Sequence, residues 1–309
     1  MNLQVFTEKN FPVDSYSGNS ICGTGPRDTG RSNQDRLLML EDSQTRSLLL
    51  MCLDGHGVYG EHIAQFISEG IQSSLFKHTK YVSDPQSAIR DVVQSVEFAV
   101  RCQPNIDSRF SGTTLCMALI RGNQILVSNI GNSRVVLGSR LSTGRVIAKS
   151  LSTDHTPEQP DEFKRICAAG GRVFRVSNSS GNWGPSRVWL ANFDAPGLGM
   201  SRSLCDDVIH SAGVSSTLEF TSRTFDLERD CVLIVATYGL WKFISCQEAV
   251  EIALESTEPS TASTNLVIEA RSRYLEEESS SDDISVCVAF LNGPPACSTY
   301  IAAENVEAS

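Results

Sequence analysis

Carboxylate side chains occur at three places where an apolar, strand-like run of the sequence begins or ends. They are Asp35, Asp54 and the pair Asp282-Asp283. Hard divalent cations bind through several oxygen ligands that converge from rigid supports. If these strands are neighbours, the four carboxylates form one acidic cluster that binds such cations. The alternative for each acid alone is a turn cap or a solvated charge.

The first long apolar run also positions a histidine. The run 46–53 ends at Asp54-Gly55-His56-Gly57, where two glycines permit a sharp turn. Polar side chains at this turn therefore stand at the end of a buried strand. Two amphipathic helices are predicted to follow, the first containing Ile63 and Ile67 and the second beginning at Asp84-Pro85.

The rest of the chain alternates strand-like and helix-like segments. Strands are predicted at 113–120, 124–130, 134–138, 172–176, 187–190, 231–236 and 284–290. Further helices are predicted from Thr156-Pro157 to Gly170-Gly171, from the capping box that begins at Ser245, and over 261–275. The first three strands are expected to form an antiparallel meander. We expect an N-terminal extension over 1–20, one domain over 21–293 and a loose tail over 294–309.

The composition limits the class of partner. The chain has 309 residues, of which 40% are hydrophobic and 20% charged, and its formal net charge is −10. This excludes disorder for most of the chain and argues against nucleic-acid binding through a basic surface. No apolar run approaches the roughly 20 residues of a membrane helix, and the first residues lack the apolar stretch of a signal peptide. We expect a soluble, cytoplasmic protein that binds neither nucleic acid nor membranes, and we also expect a monomer.

Other classes of site have little support in the sequence. The ten cysteines are scattered without a Cys-x-x-Cys pair, so free thiols are expected rather than a zinc site. Gly23-Thr24-Gly25 and Gly197-Leu198-Gly199 lack the third glycine of a dinucleotide-binding fingerprint, and the sequence has no Gly-x-Ser-x-Gly elbow. The acidic strand ends are therefore the strongest candidate site.

A series of short motifs occurs in one order along the chain. Its members are Asn33-Gln34-Asp35-Arg36, Asp54-Gly55-His56-Gly57, Ser111-Gly112-Thr113-Thr114, Asn129-Ile130-Gly131-Asn132-Ser133-Arg134, Asp154-His155-Thr156-Pro157, Gly170-Gly171-Arg172-Val173, Gly199-Met200-Ser201-Arg202-Ser203-Leu204, Gly239-Leu240-Trp241 and Asp282-Asp283-Ile284-Ser285-Val286. In content and order these nine motifs, which span about 30–290, resemble the metal-dependent protein phosphatases of the protein phosphatase 2C family. One such motif would be weak, whereas nine in register are not expected by chance.

The resemblance implies a fold and an activity. The fold is an α+β, four-layer α-β-β-α sandwich of two antiparallel sheets flanked by helix pairs, which agrees with the helices and strands predicted independently. The activity is the hydrolysis of phosphoserine or phosphothreonine at a dinuclear magnesium or manganese centre.

The resemblance also implies a set of metal ligands. Asp54 matches the carboxylate that bridges the two metals, and the Gly55 carbonyl and Asp282 match further ligands. Asp35 completes the acidic set. Gln34 stands where many members have a metal-ligating glutamate, so it is a weak ligand at best.

Two further residues gain roles from the resemblance. His56 matches the residue that donates a proton to the leaving alkoxide. Arg31 lies one residue out of the usual place of the phosphate-binding arginine, and its alternative is a solvated surface charge.

Three further positions depart from the family's metal ligands, and the change at Tyr238 is the serious loss. Tyr238 stands where an aspartate at a strand end binds the first metal, and a phenol with a pKa near about 10 is a poor magnesium ligand. Lys242 and Asn132 replace two aspartates that resemble ligands of an additional, weaker metal. A lysine that faces a dication would repel it by roughly 6 kcal/mol at most.

Two functions remain open at this point. In the first, the domain is a pseudophosphatase or very weak phosphatase with weak or partial metal occupancy, and it binds a phosphoprotein or another protein partner without turnover. In the second, it is an active metal-dependent phosphatase with a rearranged site, in which Asp283 or Asp206 is a substitute ligand. Lys242 favours the first function, because a phosphate-binding cleft can use a lysine and a metal-binding cleft cannot.

Overall fold

The computed structural model of the protein describes residues 4–5, 12–25, 31–177, 183–278 and 280–291. The tail predicted over 294–309 and part of the extension predicted over 1–20 lie outside these ranges. The strands are β1 (Gln4–Val5), β2 (Val13–Ile21), β3 (Arg36–Asp42), β4 (Ser47–Leu53), β5 (Gly55–His56), β6 (Gly112–Thr113), β7 (Leu115–Arg121), β8 (Gln124–Ile130), β9 (Arg134–Arg140), β10 (Val146–Ser150), β11 (Arg172–Ser177), β12 (Trp183–Trp189), β13 (Pro196–Leu198), β14 (Leu204–Cys205), β15 (Glu219–Thr224), β16 (Asp230–Ala236) and β17 (Ile284–Leu291). The helices are α1 (Gly60–Ser74), α2 (Pro85–Arg101), α3 (Pro160–Ala168), α4 (Tyr238–Trp241), α5 (Cys246–Leu254) and α6 (Pro259–Glu277), with 3-10 turns at Leu75–Lys77 and Ile209–Ala212.

Two large antiparallel sheets lie face to face. Sheet I has six strands in the order β1-β2-β17-β16-β9-β10, and sheet II has five in the order β15-β8-β7-β4-β3. Apolar clusters lie between the sheets, between sheet II and the pair α1 and α2, and between sheet I and the pair α5 and α6. The predicted four-layer α-β-β-α sandwich is therefore confirmed.

The long apolar runs belong to strands that are buried on both faces. In β4, residues 49, 51 and 53 face α1 and α2, whereas residues 48, 50 and 52 face sheet I. β16 and β17 alternate in the same way between the helices and the space between the sheets. A continuous apolar sequence is expected for a strand that is covered on both faces.

The predicted meander is wrong in its third strand. β7 and β8 pair as expected, but β9 crosses to sheet I, where it pairs with β10 and β16. The three residues 131–133 that join β8 and β9 have the length of a hairpin loop. Gly131 has φ +102°, a backbone conformation that glycine adopts readily and other residues do not. The chain leaves sheet II at this point.

The starts of α2 and α5 follow capping signals in the sequence, whereas the start of α3 differs from its prediction. Asp84 caps α2 by accepting a hydrogen bond from the Ser87 N–H at 3.0 Å, and Ser245 opens α5 through the predicted capping box. α3 begins at Pro160 rather than at the predicted Thr156-Pro157. The reason is a turn in which the Gln159 N–H donates to the Thr156 carbonyl at 3.1 Å.

Residues 13–20, which the sequence assigned to an N-terminal extension, lie in β2. This strand pairs antiparallel with β17 from Ile284↔Ile21 to Leu291↔Val13. Its sequence, VDSYSGNSI, is mostly polar, and only part of it is buried. A strand with few apolar residues gives little signal by hydrophobic periodicity.

The helices and the cysteines of the structure bear on two expectations from the sequence, the absence of a membrane helix and the presence of free thiols. Within the ranges given above, none of the helices combines the length and the apolar character needed to cross a bilayer. The nine cysteines that lie in those ranges are all free thiols.

Candidate metal centre

Asp35 and Asp54 lie at the same end of sheet II. Arg36, the first residue of β3, pairs with Leu53, the last residue of β4. The main chain of Asp54 is held by Thr114, whose N–H donates to the Asp54 carbonyl at 3.0 Å and whose hydroxyl accepts from the Asp54 N–H at 3.1 Å. The residue before β3 and the residue after β4 are therefore fixed next to each other.

The adjoining end of sheet I contributes Tyr238 and the pair Asp282-Asp283, which lie after β16 and before β17. Thr237 joins the two sheets here, because its hydroxyl donates to Asp35 Oδ2 at 2.8 Å and accepts from the Ser285 N–H at 3.0 Å. Four carboxylates thus lie together at one end of the sandwich. We call Asp35, Asp54, Asp282 and Asp283 the acidic cluster.

Asp35 is almost fully buried. Its Oδ2 accepts the Thr237 hydroxyl, but its Oδ1 has no hydrogen-bond partner in the described part of the chain. Burial raises the pKa of Asp35 to about 8; the charges of Asp283 and Asp282 add to the rise, and the hydroxyls of Ser285 and Thr237 oppose it. A buried carboxyl with an unpaired oxygen favours a bound proton or cation.

The carboxyl of Asp54 is perturbed in the same direction. Burial raises its pKa well above the usual range, and the negative charges of Asp35, Asp282 and Asp283 raise it further. A hydrogen bond from the backbone of Tyr238 opposes the rise. Like charges this close resist simultaneous ionisation unless a counter-ion is present.

Arg31 is such a counter-ion for part of the cluster. Its Nη2 lies 3.3 Å from Asp282 Oδ1 and 3.4 Å from Asp283 Oδ2. Asp283 also accepts hydrogen bonds from the N–H groups of Gly23 at 2.6 Å and Gln34 at 2.8 Å. Both oxygens of Asp283 are thus in use, which weakens its case as a substitute metal ligand.

The turn after β4 is closely packed at Gly55. A Cβ atom at this position would lie 2.5 Å from the Gln34 carbonyl oxygen and 2.6 Å from that of Gly60. The Gln34 side-chain amide donates to the Gly57 carbonyl at 2.8 Å. Gln34 therefore braces the turn, and the ligand that it could offer a cation is a neutral amide oxygen.

His56 contacts a carboxylate outside the acidic cluster. Its Nε2 lies 2.5 Å from Oδ2 of Asp206. Burial lowers the pKa of His56, but the charge and the hydrogen bond of Asp206 raise it, so that the pKa is raised on balance. This favours the protonated ring, which can donate a proton.

Tyr238 lies directly after the end of β16 and begins α4. Burial raises the pKa of its phenol above 10.0; the charges of Asp282 and Glu278 add to the rise, and that of Arg187 opposes it. The phenol is therefore neutral at physiological pH and offers a cation no negative ligand.

Lys242 forms an ion pair with Glu278, an acid outside the acidic cluster. Its Nζ lies 2.5 Å from Glu278 Oε1 and 5.1 and 5.2 Å from the ring centres of Tyr274 and Phe243. The repulsion expected from the sequence assumed a lysine that faces a dication. An ion pair with Glu278 removes much of that repulsion.

Asn132 is buried, and its Oδ1 has no hydrogen-bond partner among the described residues. The nearby Arg134 forms two hydrogen bonds with Asp154, at 2.9 and 2.7 Å. At position 132, where the family pattern has an aspartate that resembles a ligand of an additional, weaker metal, this chain thus offers only a neutral amide oxygen.

The side chains do not form a ready metal site. Across the described ranges, no group of three or more His, Cys, Asp or Glu side chains is arranged to hold a metal ion. Arg31 and the backbone donors on Asp283 occupy oxygens that a cation would need.

Sequence reasoning missed the parts that Thr237 and Asp206 play in this arrangement. Thr237 joins the two sheets, and Asp206, considered only as a substitute ligand, contacts His56. Each residue stands within two positions of a motif in the series, which is the signal that could have indicated it.

Comparison with known proteins identifies the family. The family model described as Protein phosphatase 2C matches residues 31–279. A rice relative, "Probable protein phosphatase 2C 64" from Oryza sativa subsp. japonica, is 32% identical over 294 residues, which cover 91% of this chain and 68% of the relative. "Probable protein phosphatase 2C 52" from Arabidopsis thaliana is 30% identical over 299 residues, which cover 84% of this chain and 63% of the relative's length. The chain belongs to the protein phosphatase 2C family and contains a serine/threonine phosphatase-like domain of that family.

Solved structures support the same fold. The serine-threonine phosphatase 2C from Toxoplasma gondii matches with a TM-score of 0.76 at 18% identity, covering 94% of this chain and 98% of that one. A C. elegans sex determining protein matches with a TM-score of 0.72 at 19% identity, covering 93% of this chain and 67% of that one. At these identities the likeness concerns the fold.

Proposed function

We propose that this domain is a pseudophosphatase or a very weak phosphatase toward phosphoserine and phosphothreonine, and that it binds a protein partner at the acidic cluster. The observation that carries the proposal is Tyr238. A neutral phenol stands at the strand end where the family pattern has a metal-binding carboxylate. A hydroxyl without charge binds magnesium or manganese far less well than a carboxylate does.

The residues present fit a divalent cation in part. Asp35 has a buried oxygen without a partner, and Asp54 has a carboxyl whose pKa is strongly raised. The residues that would hold magnesium or manganese are Asp35, Asp54, Asp282 and the Gly55 carbonyl. When bound, such a cation would supply Lewis-acid activation of water and of the phosphoryl group.

Other features of the chain weaken cation binding. Gln34 offers a neutral oxygen, and Arg31 already pairs with Asp282 and Asp283. Asp282 would have to give up this arginine in order to bind a cation. We expect partial occupancy and dissociation constants on the order of millimolar.

Charge also constrains the partner. The carboxylates of Asp282 and Asp283 outnumber the guanidinium of Arg31, which is the cation that the described part of the chain pairs with them. Without bound cations this end of the sandwich repels a phosphate group. Binding of a phosphoprotein therefore needs magnesium or manganese, whereas a partner that presents a lysine or arginine side chain does not.

The test combines calorimetry with a hydrolysis assay. Wild-type protein and Asp54→Asn are titrated with magnesium and with manganese, and hydrolysis of a phosphothreonine peptide is followed in parallel. We expect weak binding by the wild type, slow hydrolysis at most, and loss of both in Asp54→Asn. Two tight metal sites with rapid turnover in the wild type would contradict the proposal.

One observation favours the second candidate, an active phosphatase with a rearranged site. His56 is retained, and its contact with Asp206 favours the protonated ring that a proton donor needs. Rapid hydrolysis that disappears in both Asp54→Asn and His56→Gln would support this alternative.

A further inference from the structure

A small sheet beside the candidate metal centre brings His56 and Asp206 together. β6 lies between β5 and β14, and Gly112 pairs with His56 on one side and with Cys205 on the other. Asp206 follows Cys205, and its N–H donates to the Ser111 carbonyl at 3.0 Å. Backbone hydrogen bonds thus fix three segments that are far apart in the sequence.

The Asp206 carboxylate is held tightly against the imidazole. It is 2% exposed, and its Oδ2 contacts His56 Nε2 at 2.5 Å and also accepts the Ser203 hydroxyl. Cys205 and Asp206 both have a left-handed backbone, with φ of 66° and 52°. This conformation is uncommon for residues other than glycine, asparagine and aspartate, and at Cys205 it persists because the surrounding structure imposes it.

Gly112 provides the space for this contact. A Cβ atom there would overlap the Asp206 carboxylate and lie 2.7 Å from Ser203 Oγ and 2.5 Å from the Leu204 carbonyl oxygen. A side chain at position 112 would therefore push Asp206 away from His56.

We infer that Asp206 is a positioning residue for His56, because its carboxylate fixes the orientation of the imidazole through Nε2. The His56 Nδ1 is buried and accepts or donates no hydrogen bond among the described residues, so the contact between Nε2 and Asp206 is the side-chain hydrogen bond that orients the ring. The consequence for catalysis rests on the proposed function, since His56 donates a proton only where some hydrolysis occurs. The contact itself does not depend on turnover.

Asp207 offers a matched control. It is the next residue in the chain, but its carboxylate pairs with Arg101 at 2.6 Å and accepts the Ser108 hydroxyl at 2.5 Å. Asp207→Asn therefore removes a neighbouring carboxylate without touching His56.

The main test is the NMR spectrum of the ¹⁵N-labelled His56 ring in the whole chain. In wild-type protein we expect the Nε2–H proton to be shifted downfield and protected from solvent exchange. Asp206→Asn should remove that signature, and Asp207→Asn should keep it. A His56 spectrum that Asp206→Asn leaves unchanged, or that both variants change equally, would overturn the inference.

A second variant serves if Asp206→Asn fails to fold. Ser203→Ala removes the other donor from Asp206 Oδ2, so the His56 Nε2–H resonance should move further downfield. An unchanged resonance in Ser203→Ala would count against the inference.

The choice of substrate separates positioning from structural support. Asp206→Asn should lower turnover of a phosphothreonine peptide at least about tenfold more than turnover of p-nitrophenyl phosphate, whose leaving group departs without a proton. An equal loss on both substrates would assign Asp206 a structural role and overturn the inference. If the wild type hydrolyses neither substrate, that result concerns only the proposed function. The NMR spectrum of His56 then tests whether Asp206 orients the imidazole, because it does not require turnover.

Discussion

Lys242 and Glu278 form an ion pair at the C-terminal end of α6, with Lys242 Nζ 2.5 Å from Glu278 Oε1. The ammonium also lies over the rings of Tyr274 and Phe243. The positive charge of Lys242 therefore stabilises the packing of the segment after α4 against α6. Of the two departures in this segment, we therefore propose that Tyr238, and not Lys242, limits cation binding.

Removal of the Lys242 side chain should cost stability and leave metal affinity nearly unchanged. Lys242→Ala breaks the ion pair and both contacts with aromatic rings, so we expect a loss of about 1–2 kcal/mol in the free energy of unfolding. Urea denaturation measures this loss. Lys80→Ala, which breaks an exposed pair with Asp91, should cost no more than about 0.5 kcal/mol. A gain of tenfold or more in magnesium affinity in Lys242→Ala would show that the lysine does oppose the cation.

Asp35 should make the metal-free protein less stable as the pH rises. Its pKa is raised from 3.8 to about 8 in the folded state, so the folded chain binds this proton more tightly than the unfolded chain does. The resulting stabilisation is fully present below about pH 4 and is lost as the pH rises through about 8. When the pH is raised from about 5 to about 8, the free energy of unfolding of the wild type should fall by at least about 1.4 kcal/mol more than that of Asp35→Asn.

Urea unfolding in the presence of a chelator measures this difference. Asp161→Asn, at an exposed position of α3, is the control and should follow the wild type at both pH values. If Asp35→Asn also follows the wild type, Asp35 does not hold a proton in the folded state.

Glu162 should be the main connection between α3 and the segment that contains Ser201 and Arg202. It is buried and accepts hydrogen bonds from Arg165 and Arg202, the shortest at 2.7 Å in each case, and from the Ser201 hydroxyl. Glu162→Gln leaves two guanidinium groups without their carboxylate, so we expect a loss of about 3 kcal/mol in the free energy of unfolding. Chemical denaturation provides the measurement.

The matched control for Glu162 is an exposed ion pair. Asp107→Asn weakens the contact with Arg109 and should change the free energy of unfolding much less than Glu162→Gln does. If the two substitutions change the free energy of unfolding equally, the burial of Glu162 does not increase its contribution to stability.

The sequence predicted those parts of the fold that depend on burial. The runs at 46–53 and 231–236 are apolar at nearly every position because β4 and β16 are covered on both faces. β2 was missed because its residues are mostly polar and only part of it is buried. The crossing of β9 to sheet I was also missed, since a three-residue connection after β8 has the length of a hairpin loop.

In the candidate site, too, features that follow from a buried strand were predicted and other features were missed. Asp54 and His56 could be placed at a strand end because the run before them is apolar and glycines follow. Contacts between distant segments could not be predicted, because spacing in the sequence carries no information about them. The pair Lys242 and Glu278, separated by 36 residues, and the contact between His56 and Asp206, separated by 150, are of this kind.

The central claim, that the residue at position 238 limits the chemistry, is tested most directly by Tyr238→Asp. The measurement is manganese-dependent hydrolysis of a phosphothreonine peptide by wild type, Tyr238→Asp and Tyr238→Phe, with manganese affinity determined in parallel. Tyr238→Asp restores a negative oxygen ligand at the strand end, so it should bind manganese more tightly and raise the rate at least about tenfold, or about 1.4 kcal/mol in the barrier. Tyr238→Phe, which keeps the ring without the hydroxyl, should gain nothing. A wild-type protein that already matches Tyr238→Asp in both affinity and rate would contradict the claim.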